Sequence, residues 1–140
     1  MKSRASADDL AFRDEFEALR FPPAQFKHRE HLRLAYVYLC EHDVDRAHAA
    51  MRTAIRGFLA HHEVDPAKYH ETITRAWVLA VRHFLARTPA ADSFAAFAEQ
   101  HPAMLDSKIM LTHYSPTLLA QPEARVAFAE PDLDPIPRYA

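Results

Sequence analysis

Residues 28–41, HREHLRLAYVYLCE, decide the fold. Leu32, Ala35, Tyr36 and Leu39 recur at helical spacing, while Leu34, Val37 and Tyr38 cover much of the other side. A helix apolar on two sides needs neighbours on two sides. The segment therefore predicts a central helix with further helices packed around it.

Working outward, the flanking segments have the same period. Asp8 to Leu19 places Leu10, Phe12, Phe16 and Leu19 at helical spacing behind acids that suit the helix dipole, and Phe21-Pro22-Pro23 ends it. Downstream, Asp43 or Asp45 can cap a third helix whose stripe is Val44, Met51, Ile55, Phe58 and Leu59, closed by Asp65-Pro66. A fourth and longest helix is expected from Pro66 to about Arg87. Asp92 is expected to cap a short fifth helix ending at His101-Pro102. Residues 104–114 fit either a helix or a short extended piece, and Ser115-Pro116 and Gln121-Pro122 each begin a further turn or short helix.

Composition argues against hairpins. Gly57 is the only glycine and asparagine is absent, so almost nothing suits the primed turns of a β-sheet. The expectation is an all-α fold: one compact helical bundle of five to seven helices, residues 1–140 forming a single domain. Residues 1–7 and about 130–140 should be extended or flexible ends. The last segment, with prolines at 131, 135 and 137, should either wrap the bundle or hang free.

A formal charge of -2 with scattered Lys and Arg gives no footprint for nucleic acid. No apolar run reaches the roughly 18 residues of a membrane span or resembles a signal peptide, so a cytoplasmic protein without membrane association is expected. The lone Cys40 on an apolar helix reads as packing rather than as a nucleophile.

The chemistry lies in the histidines. On a wheel that takes the fourth helix as continuous from Tyr69, His70 falls in the middle of the apolar stripe formed by Ile73, Trp77, Ala80, Val81 and Phe84. Thr74 lies beside it, and Glu71, Arg75 and Arg82 point to the wet side. A buried imidazole needs a partner, because leaving it unpaired costs about 1–3 kcal/mol. His28 and His31 stand at i, i+3 at the entry to the second helix, within reach of one ion. Three imidazoles, His28, His31 and His70, converging from two helices would suit one divalent transition metal, Zn, Fe, Mn or Cu, with Glu30 or Glu71 as base or carboxylate ligand. Neither His-Glu-x-x-His nor Glu-x-x-His occurs, so the zinc-protease and di-iron signatures are absent.

The combination Phe26-x-His28-x-Glu30-His31-Leu32, Tyr69-His70-Glu71-Thr72-Ile73-Thr74 and Pro131-Asp132-Leu133 resembles a set of small bacterial all-helical proteins. The resemblance spans most of the chain. It implies an all-α fold and singles out the same two segments, and it brings no activity, substrate or cofactor.

Two functional readings stand side by side. In the first, the chain is a small-molecule enzyme with a His-rich pocket between the second and fourth helices. There His70, Glu71, His31, Lys108 and His113 are catalytic, and Tyr69, Thr74, Trp77 and Tyr114 bind substrate. The chemistry is either metal-assisted or metal-free, with His70 as general base. In the second, the histidines are structural and the chain is a non-catalytic helical module binding a small ligand or a protein.

Overall fold

Ser6 opens the first helix by a reciprocal exchange: its hydroxyl accepts from the Asp9 amide and the Asp9 carboxylate accepts from the Ser6 amide. Asp9 does more than cap. Only 2% exposed, it also accepts from the Phe94 amide at 2.9 Å and from Arg33 Nε at 2.8 Å, so one carboxylate joins three helices. Burial would raise its pKa, yet these donors hold it below the ordinary carboxylate value.

A computed structural model describes residues 2–139. Among them the chain forms α1 (Ala7–Glu17), α2 (His28–Glu41), α3 (Val44–His61), α4 (Glu71–Ala86), α5 (Phe94–Gln100), α6 (Pro116–Leu119) and α7 (Pro122–Val126), with no strand. The all-helical bundle read from the sequence is the fold. Helices α2, α3 and α4 pack on one another, and α1, α5 and α7 close the outside. As its double-sided pattern requires, α2 buries Leu32, Leu34, Ala35, Tyr36, Val37 and Tyr38.

Three sequence expectations need correction. The fourth helix does not run from Pro66: Pro66–Lys68 is a single 3-10 turn, Tyr69 and His70 are extended, and α4 begins at Glu71. The fifth helix is capped by Ser93, whose hydroxyl accepts from the Ala96 amide, while Asp92 instead pairs with Arg4. Residues 102–112 are two 3-10 segments, Pro102–Leu105 and Ser107–Thr112, rather than an extended piece.

The proline-rich tail wraps the bundle. Ile136 is buried in the core, Leu133 donates its amide to the His113 carbonyl, and Asp132 accepts from both the amide and the hydroxyl of Ser115. At the other end, the Tyr36 hydroxyl and residue 91 hold Ser3 and Arg4. No helix among the described residues is long and apolar enough to cross a membrane.

Candidate functional site

The stretch Tyr69 to Thr74 carries a dense set of side-chain hydrogen bonds at the start of α4. Because His70 is extended (φ -130, ψ 109), its ring folds back over the first turn, and Nδ1 accepts from the Ile73 amide at 3.1 Å. Its Nε2–H donates to the Leu119 carbonyl at 2.8 Å. Both ring nitrogens are thus committed, and burial lowers the pKa of the ring. Thr74 returns its hydroxyl to the His70 carbonyl, and Thr72 donates to the Ala124 carbonyl while accepting from the Ala129 amide.

Glu71, the first residue of α4, points inward, opposite to the wet side expected for it, because α3 covers that side of the helix too. It is 9% exposed and lies against α3. Arg52 grips it with Nη2 to Oε2 at 2.6 Å and Nε to Oε1 at 3.2 Å. The Tyr69 hydroxyl donates to Oε1 at 2.6 Å and His48 Nε2–H at 3.2 Å. Arg75, also expected on the wet side, closes the chain by donating to His48 Nδ1 and to Asp45. Burial opposes ionisation of Glu71, but Arg52, Tyr69 and His48 outweigh it and hold the carboxyl at about 2. Burial, and then the hydrogen bond to Glu71, pushes the Tyr69 hydroxyl up to about 12. Such a pair is fixed in charge around neutral pH and does not exchange protons there.

The three expected metal ligands do not converge. His28 Nε2–H donates to the Met104 carbonyl at 2.9 Å and its ring stands edge-on to Trp77 at 4.6 Å, while His70 is spent as above. Among the described residues no group of three or more His, Cys, Asp or Glu side chains is arranged to hold an ion. Glu30, the other carboxylate considered, accepts from the Lys27 amide and serves as a cap. Lys108, His113 and Tyr114, also expected at the site, are turned towards other tasks. Lys108 is exposed, His113 Nδ1–H donates to the Asp134 carbonyl, and the fully buried Tyr114 donates to the Ala129 carbonyl.

His31 is the exception. It is half-buried, edge-on to Phe26, and its ring makes no hydrogen bond among the described residues. Burial, and then the neighbouring His28, push it down to about 4. The folded value lies below the unfolded one of 6.5, so the unfolded chain binds this proton first. Its contribution to stability is therefore present above about pH 6.5 and is lost as the pH falls towards 4. We expect an NMR titration to show a neutral His31 ring at pH 5, and His31→Phe to flatten the stability profile between those limits. A midpoint near 6.5 would remove the burial from this account.

The structure also shows a groove that the sequence did not reveal. It encloses about 490 Å³ between α3, the 66–68 turn and α7. Leu59, Ala60, Pro66, Ala67 and Val126 give it apolar walls; Tyr69 and Pro122 complete them, and Arg56 and Arg125 stand at its sides. The Arg56 guanidinium lies 4.7 Å over the Tyr69 ring, and Arg125 Nη2 donates to the Ala67 carbonyl at 2.6 Å. One signal was readable beforehand: His48, Arg52 and Arg56 follow one another at i, i+4 along one face of α3. A second cleft, of about 510 Å³, mixes Lys2, Arg46 and Arg82 with Glu41 and Asp43 beside Cys40. Burial pushes the Cys40 thiol up to about 11, far from a reactive thiolate.

The chain matches no protein-family model, no curated protein and no solved structure.

Proposed function

We propose that the protein is a non-catalytic binding module for a small molecule, held in the groove between α3 and α7. The observation that carries this reading is the groove itself. Its roughly 490 Å³ falls within the range of about 300–1,000 Å³ typical of ligand sites, and apolar walls with a few directed polar groups are their usual make-up. The catalytic reading has lost most of its residues to architecture: His70, Glu71, His113 and Tyr114 hold one part of the fold against another, and the Thr74 hydroxyl is turned back onto the His70 carbonyl of its own helix. Of the histidines that reading named, His31 keeps an imidazole without a hydrogen bond among the described residues, too weakly basic at about 4 to be a strong general base near neutrality.

The test uses a neutral apolar fluorophore, N-phenyl-1-naphthylamine, titrated into the full chain. Saturable enhancement is expected, and it should be lost in Ala60→Trp, which fills the groove from an exposed position on α3. Unsaturable fluorescence, or the same curve in a folded Ala60→Trp variant, would refute the reading.

A further inference from the structure

We infer that the ligand of this groove is an apolar monocarboxylate, its hydrocarbon body against the α3 and α7 walls and its charge between Arg56 and Arg125. The inference rests on the binding reading above and adds the chemical class.

The first argument is uncompensated charge. Among the described residues neither Arg56 nor Arg125 has a carboxylate within 4.0 Å, whereas Arg52, one turn before Arg56, is fully engaged by Glu71. The nearest acid in sequence to the groove turn, Asp65, spends its carboxylate on the Ala67 amide. Two guanidiniums therefore face an apolar groove with no counter-ion from the protein.

The second argument is preorganisation. A free arginine loses about 2 kcal/mol of side-chain entropy when it is fixed. Here Arg125 is already held by the Ala67 carbonyl through one of its five N–H donors, and Arg56 is held against the Tyr69 ring. Tyr69 is itself fixed by Glu71, so the buried network behind the groove stiffens its charged wall. The remaining donors form the planar fork that pairs with a carboxylate.

The third argument is the shape of the rest. Leu59, Ala60 and Val126 offer no hydrogen bonds, and Val126 is 75% exposed. A polyanion would leave those walls wet, and a neutral hydrocarbon would leave the guanidiniums without an anion. A molecule with one carboxylate and an apolar body satisfies both.

The experiment is calorimetric titration of the full chain with octanoate, octan-1-ol and octylamine. Octanoate is expected to bind about tenfold more tightly than octan-1-ol, in line with a charge-assisted hydrogen bond, and octylamine more weakly still. Arg56→Gln and Arg125→Gln should each weaken octanoate by about tenfold and leave octan-1-ol unchanged. Among the described residues the Arg56 side chain makes no hydrogen bond and only lies over the Tyr69 ring, so its variant removes the charge without breaking a hydrogen bond of the fold. Equal binding of octanoate and octan-1-ol, both lost in Ala60→Trp, would overturn the carboxylate and leave the groove. Binding of none of the three, or binding indifferent to Ala60→Trp, would overturn the groove as well.

Discussion

Glu71→Ala is expected to lose about 3–5 kcal/mol of folding stability, read as a shift of the urea midpoint at constant slope. The size follows from what is left behind. Without the carboxylate, the Arg52 guanidinium, the Tyr69 hydroxyl and His48 Nε2–H all lose their acceptor in the α3–α4 interface at once. Arg52→Ala should cost less, because Tyr69 and His48 continue to serve Glu71, and the double variant should fall well short of the sum. The same group sets an acid limit. Held at about 2 against an ordinary 4.5, its contribution is complete above about pH 4.5 and is lost as the pH falls towards 2. A loss below about 1 kcal/mol in Glu71→Ala, the scale of a surface ion pair, would show that solvent already screens this site.

Phe58→Ala is expected to cost about 3–5 kcal/mol by leaving a cavity that its neighbours cannot fill. The ring is 2% exposed and stacks on Phe16 at 4.4 Å; Phe26 lies 5.4 Å away and His62 4.6 Å away. These neighbours come from α1, from the 22–27 connector and from the end of α3, so no single one can move in without carrying its backbone along. Phe58→Leu keeps most of the volume and should cost roughly half as much or less. Both variants should retain the helical circular-dichroism spectrum. A cost below about 1.5 kcal/mol for Phe58→Ala would mean that the cluster collapses freely.

The two cases mark what was legible in the sequence. The course of α2 to Glu41 and an aspartate cap of α3, at 43 or 45 by the sequence and at Asp43 in the structure, were readable because periodicity and capping are local chemistry, settled within a turn or two. Phe58 was readable as core for the same reason. Glu71 was misplaced because α4 was read as having one wet side, whereas it packs on α2, α3 and α7 and buries Thr72, Ala76, Val78 and Leu79 as well as Trp77 and Val81; the wheel begun at Tyr69 also treated two extended residues as helical. The missing signal was that histidine can cap a helix through Nδ1. Beyond the i, i+4 run of His48, Arg52 and Arg56 the groove left no mark in the sequence, since its walls come from α3 and α7, more than 50 residues apart, and it exists only once both are docked. His28, His70 and His113 are used singly, each tying its own helix end or connector to a distant backbone carbonyl, and His31 bonds to none among the described residues.

The first turn of α4 has a consequence for how the chain is made. His70 and Thr72 find their partners at Leu119, Ala124 and Ala129, about 50 residues later. A growing polypeptide emerges from its N-terminus, so α1, α2 and α3 are available to associate while those partners are still being synthesised. Until then the start of the fourth helix has its polar groups facing water, and the groove beside it has only one wall. The groove is thus completed only when α7 docks, and a nascent chain halted before residue 119 would carry the hydrophobic centre without it.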